Sequence, residues 1–301
     1  MKSKKLINTY NIIGFAIIIF LTLRESLSLV LMHTPLQKGS VPFLLLSMLV
    51  FALACFVPVT VMENMLGVHP LLFKKVKPYD AASAAAAGYL IILVAGVVNR
   101  ILMMPLKSAG ISFAPVQLNI PQGVFNGILY FIYLCVMPAV LEEIFVRGLV
   151  LNALKPWGVS FAVGLSSLIF ALMHSALHNV FLYFVCGIVL AKIYLAFDSL
   201  LPCMLLHFVN NTLAFLLSAF QQRANAVSAV SFSVYVYILA IVLGIAGARY
   251  LKRRGISFAF GYKRSQDTKL KFTCMFKGGV GLTALCLLVF IAAYNSYRLL
   301  I

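Results

Sequence analysis

The chain has 301 residues, of which 63% are hydrophobic and 10% charged, with a mean hydropathy of +1.03. So much apolar side chain cannot be hidden inside a soluble globule, and lipid must be a large part of its solvent. The net charge of +17 does not point to nucleic acid, because the cations flank apolar runs and no base-stacking module interrupts them. A leaflet of anionic lipid is the fitting counter-charge.

Crossing ~30 Å of hydrocarbon takes about 20 apolar residues. Nine candidate spans follow, near 8–32, 42–62, 83–104, 122–146, 158–177, 179–197, 200–220, 228–249 and 278–297. The expected fold class is all-α, a polytopic transmembrane helical bundle of eight or nine spans. The first span is interrupted by Arg24 and Glu25, and the fourth ends in two acids. Lys2, Lys4 and Lys5 ahead of an apolar run resemble a signal peptide. No small-residue cleavage site follows them, so this is read as a retained first span. With the N-terminus inside, 18 of the 24 basic residues fall on the cytoplasmic side, which sets the expected orientation as N-in and C-out.

The organisation expected is three parts: N-terminal helices with an outer loop (1–119), a core (120–220), and C-terminal helices (221–301) with a basic cytoplasmic loop at 251–277. The stretch 106–121, with Pro115 and Pro121, reads as an outer loop. The basic loop mixes Phe and Tyr with cations, which suits either an amphipathic segment on the membrane surface or a solvated loop. The six cysteines are scattered with no CxxC spacing and read as small apolar core residues.

Only seven acids occur in the chain, and two of them, Glu142 and Glu143, are adjacent after 34 residues without a charge. A carboxylate at membrane depth costs at least ~2.5–3.5 kcal/mol, so it marks a functional site by default. On a helix Glu143 and Arg147 lie at i and i+4 in the favourable order for an ion pair, while Glu142 points about 100° away. The pair neutralises one carboxylate and leaves Glu142 as a candidate general base. The alternative is that the two acids merely mark the cytoplasmic end of the span, with Arg147 as their counter-ion. Pro138 removes a donor from the carbonyl of Leu134, so a local opening that admits water beside Glu142 is expected.

Later spans bring histidines. Phe170 and His174 are at i, i+4 on the fifth, and His207 and Asn211 are at i, i+4 on the seventh, two donors that could cradle an oxyanion. Glu142 and His174 sit at matching heights if the chain turns near Lys155 to Gly158, and His207 joins them if that turn projects roughly 10 Å further out. His178 is expected at the turn between the fifth and sixth spans, with Asn179 capping.

Together, Glu142-Glu143-x-x-x-Arg147, Phe170-x-x-x-His174 and His207-x-x-x-Asn211 resemble the CAAX-processing and bacteriocin-processing (CPBP, or Abi) family of intramembrane proteases, which includes type II CAAX prenyl endopeptidases. The likeness covers roughly 120–215. It implies an intramembrane endopeptidase in which Glu142 and His174 activate water while His207 and Asn211 stabilise the oxyanion, with Glu143, Arg147 and Phe170 in support. No cofactor is expected. A zinc version would recruit Glu142, His174 and His207, but no HExxH is present. Implied partners are membrane lipid and a membrane-associated peptide or protein, in a prokaryotic plasma membrane. Two other classes stay open, a proton-coupled transporter and a non-catalytic scaffold or bacteriocin self-immunity protein.

Overall fold

The computed structural model describes residues 2–69, 73–113, 118, 120–257 and 268–300. Its helices are α1 (Lys2–Met32), α2 (Val41–Leu66), α3 (Pro78–Ser108), α4 (Val124–Trp157), α5 (Val159–Met173), α6 (Val180–Phe197), α7 (Leu200–Arg223), α8 (Ala226–Arg253), α9 (Thr268–Lys277) and α10 (Gly279–Arg298). Eight of them are long and apolar enough to cross a membrane. The chain is a polytopic helical bundle.

The faces divide as lipid solvation requires. On α2, Leu45, Leu49, Leu53 and Phe56 follow a helical stripe and are exposed, while Val50, Ala54, Cys55 and Met62 face inward. Ser40 starts that helix by accepting from the Phe43 amide at 3.4 Å, and Gly67 ends it in the left-handed region at φ 63°. Glycines permit close helix approaches at several points, two of which bear on the site and its margin. A Cβ on Gly14 of α1 would stand 2.5 Å from the Gly281 Cα of α10, and one on Gly187 of α6 would stand 2.9 Å from Ser167 of α5. Close backbone approach of this kind is how helices associate where lipid removes the hydrophobic incentive.

Several boundaries differ from the sequence reading. Helix α4 does not stop at 146 but continues to Trp157, so Glu142 and Glu143 lie mid-helix and do not mark a span end. Arg147, expected in an inner loop, is fully buried. The ion pair inside the helix removes the reason for the chain to leave the bilayer there. Helix α5 has only 15 residues, ~22 Å of rise, and falls short of a span. Helix α3 runs through Pro105 to Ser108, which shortens the outer loop; Pro115 of that loop lies outside the described residues. The basic loop is shorter too. Part of it is the helix α9, which packs on α1 with Lys271 and Cys274 buried and the Tyr10 hydroxyl donating to the Lys271 carbonyl at 3.2 Å. Residues 258–267, including Lys263 and Arg264, lie outside the described residues. All six cysteines are free thiols, and five are buried.

At one end of the bundle Lys74 pairs with Asp198, the Ser199 hydroxyl donates to the Lys74 carbonyl at 2.9 Å, and Arg254 meets Asp80 at 3.4 Å. The turn at Lys155–Trp157 closes at this end, with Gly158 at φ 123°. Glu142 is 15 residues before Trp157 and His174 is 15 after Val159, and the two side chains come within electrostatic range of each other.

Candidate active site

The site forms where α4, α5 and α7 meet, with α1 and α6 at its margin. Helix α4 is irregular on both sides of the acids. It widens to π-helix over Ile132–Val136 and again over Ile144–Leu151, around a seven-residue α segment that begins with Met137 and Pro138. Pro138 cannot donate to Leu134, and the Leu134 carbonyl instead lies 3.5 Å from the Asn211 side-chain nitrogen of α7. The expected opening before Pro138 is therefore present, and it is where α7 engages α4. Wide turns of this type recur at functional sites.

Three side chains form a buried trio. Glu143 Oε1 accepts from Arg147 Nη1 at 2.9 Å and from His207 Nδ1 at 2.8 Å, and all three residues are 0–2% exposed. Arg147 Nη2 also donates to the Gly187 carbonyl of α6 at 3.1 Å, and its guanidinium lies 4.3 Å over the Phe170 ring. Because Gly187 lacks a Cβ, α6 comes close enough to α5 for its backbone to reach this cation. Phe170 in turn packs edge-on against both His207, at 5.7 Å, and His174, at 4.6 Å. The expected i, i+4 pair of Glu143 and Arg147 is present, and His207, 64 residues beyond Glu143, completes the trio.

Glu142, His174 and Asn211 are different in kind, since each retains partial exposure. Glu142 Oε2 is buried and has no hydrogen-bond partner. An unmatched acceptor of this sort is costly unless something occupies it, and a carboxylate oxygen is the natural acceptor for a water proton. His174 is the C-cap of α5; its Nδ1 lies 2.8 Å from the Phe170 carbonyl, and its ring stacks on Tyr183 of α6 at 4.2 Å. A carbonyl only accepts, so Nδ1 carries the proton and Nε2 offers a lone pair. The same logic applied to His207, whose Nδ1 faces a carboxylate, leaves its Nε2 free. His174 is within electrostatic range of Glu142, His207 and Arg147.

Other expected residues fall elsewhere. His178 lies in the turn between α5 and α6, stacked on Phe113 at 4.5 Å. Asn179 precedes α6 but makes no side-chain cap; it accepts from Asn99 Nδ2 of α3 at 3.0 Å instead. Among the described residues no three His, Cys, Asp or Glu side chains are grouped as a metal site. An apolar cavity of about 340 Å³ between α3, α7 and α8 is lined on α7 by Leu205, Val209 and Leu213, the side opposite His207 and Asn211, and is no part of the site.

Two contributors carried no motif. Tyr183 and Gly187 take part through the packing of α6, which no spacing within the sequence encodes. Arg24 is nearer the surface of legibility, as a cation inside an apolar run.

Glu142 and His207 thus both come within electrostatic range of His174 inside a multi-pass helical bundle, with Asn211 at the Leu134 carbonyl of the same helix α4. Residues 124–213 match the family model described as type II CAAX prenyl endopeptidase Rce1-like, from the first residue of α4 to midway along α7. That stretch contains Glu142, Glu143, Arg147, Phe170, His174, His207 and Asn211, and the match agrees with the resemblance carried by their three motifs. At the level of the family it supports a CAAX-type intramembrane protease. No curated protein and no solved structure matches the chain.

Proposed function

We propose that the protein is an intramembrane endopeptidase that hydrolyses a peptide bond of a membrane-associated protein or peptide, with Glu142 as the general base. The observation that carries this reading is the pairing of unlike neighbours: each acid keeps one buried oxygen without a partner, but Glu143 is fully buried and tied through Oε1 to Arg147 and His207, while the adjacent Glu142 is partly exposed and pairs with no cation among the described residues.

In the proposed reaction a water molecule donates one proton to Glu142 and the other toward His174 Nε2, and its oxygen attacks the scissile carbonyl. The carbonyl π bond opens to an oxyanion. Asn211 Nδ2 has a second N–H beyond the one aimed at Leu134, and this donates to the oxyanion. His207 adds an Nε2 donor when its ring is doubly protonated, and Glu143 then balances the ring's charge. Glu142 next returns its proton to the amide nitrogen, the C–N bond breaks, and carboxylate and amine leave.

The orientation we adopt puts the basic end of the bundle in the cytoplasm. The test is cleavage of a quenched membrane-tethered peptide library by protein reconstituted in liposomes, wild type against Glu142→Gln. Cleavage by the wild type that falls at least about 10³-fold in the variant supports the reading. Equal cleavage by both overturns Glu142 as the base, and none by either overturns the peptidase.

A further inference from the structure

Arg24 interrupts the apolar run of α1 and lies outside the 124–213 segment, yet its guanidinium reaches the turn that carries His174. Nη1 donates to the Met173 carbonyl at 2.8 Å and Nη2 to the Ser175 hydroxyl at 3.0 Å, one residue on each side of His174. Nε and Nη2 are held from behind by Glu25 Oε1, at 2.8 and 2.6 Å, and the guanidinium rests 5.2 Å from the Phe20 ring. The Met173 carbonyl belongs to the last turn of α5, where carbonyls lack a partner within the helix and the dipole favours a cation. Ser175 stands at φ 55°, a left-handed conformation that a side chain disfavours and that persists only where its surroundings impose it.

We propose that Arg24 is a positioning residue for His174: by holding the Met173 carbonyl and the Ser175 hydroxyl together, the first helix fixes the turn from which the imidazole is presented to Glu142. This rests on the peptidase reading above. It gives α1 a task in the site that the three motifs do not contain. The turn has two further anchors, Ser296 of α10 accepting from the Leu177 amide at 2.8 Å and Asn99 of α3 donating to the His178 carbonyl at 3.2 Å. Both act three or four residues beyond His174, so they fix where the turn sits, and Arg24 fixes the imidazole within it.

The experiment compares wild type, Arg24→Gln, Arg24→Lys and the double variant Arg24→Gln, Ser175→Gly in liposomes, reading kcat and KM on the tethered peptide. Exchange of the imidazole C2 hydrogen for deuterium at His174 and His207 is read by mass spectrometry on the same samples. Arg24→Gln should lower kcat about 10- to 100-fold, as a misplacement near 1 Å does, with KM within about threefold. Arg24→Lys should recover part of the loss. Glycine at 175 should recover roughly fivefold of it, since it removes the left-handed penalty the arginine otherwise overcomes. Exchange at His174 should quicken while that at His207 does not.

Unchanged kcat with unchanged His174 exchange in Arg24→Gln overturns the proposal, as does a loss that glycine at 175 leaves untouched. If the wild type itself cleaves nothing, the peptidase reading fails, and the exchange arm alone then decides whether Arg24 holds His174. If Arg24→Gln does not fold, Arg24→Lys with and without Ser175→Gly gives the same comparison.

Discussion

Replacing Arg147 by methionine removes a guanidinium with three tasks: the bond to Glu143 at 2.9 Å, the bond to the Gly187 carbonyl at 3.1 Å and the contact over Phe170 at 4.3 Å. Glu143 would then be a fully buried carboxylate with His207 as its one remaining partner in the trio. Leaving one member of a buried pair unmatched costs about 3–5 kcal/mol. The lost contact with the ring is worth up to about 2 kcal/mol, and the two losses overlap, so a total near 4 kcal/mol is expected. Taking both charges away should hurt less than that sum. Glu143→Gln with Arg147→Met leaves no uncompensated ion, and the coupling energy of the cycle should reach about 2–3 kcal/mol. Trp157, the single tryptophan, stands at the end of α4 and reports its unfolding. Reversible unfolding in mixed micelles followed by its fluorescence gives all four stabilities. A loss below about 1 kcal/mol for Arg147→Met, or a double variant equal to the sum of the singles, would refute the buried trio as the centre of the site.

Asn211→Ala should lower kcat about 10²–10³-fold with little change in KM, as loss of one oxyanion donor does; steady-state kinetics in liposomes checks it, and a KM effect alone would move Asn211 to substrate binding. Gly187→Ala should destabilise by about 1–3 kcal/mol, because the added methyl would meet Ser167 at 2.9 Å, and micellar unfolding measures it. Pro138→Ala restores an amide donor for the Leu134 carbonyl, so it should be no less stable than wild type yet about tenfold slower, as the wide turn that receives Asn211 closes; unfolding and cleavage rates read together test this.

Much of this molecule is legible in its sequence because lipid imposes a simple rule on length and polarity. Val41–Leu66 and Ala226–Arg253 are where uncharged apolar runs put them. One failure has a clear cause: the fourth span is expected to end at 146 with Arg147 in an inner loop, but Glu143 and Arg147 neutralise one another within α4, so the helix passes through them. The site was legible as far as one helix turn reaches. Glu143 with Arg147 and Phe170 with His174 follow from i, i+4 spacing alone. The bond from His207 to Glu143 depends on how far α7 is slid along α4, and Asn211 reaches Leu134 only because Pro138 leaves that carbonyl free. No local spacing records either quantity, and the same holds for Arg24 beside Met173.

The central claim is that Glu142 activates a water and does not itself attack. A single turnover in ¹⁸O-water, with peptide product and protein both analysed by mass spectrometry, tests it most directly. Water activation predicts one ¹⁸O in the new carboxyl of the product and an unlabelled Glu142. Label in the Glu142 carboxyl, or a first product carrying only ¹⁶O, would contradict it by showing that the carboxylate had formed a covalent acyl intermediate.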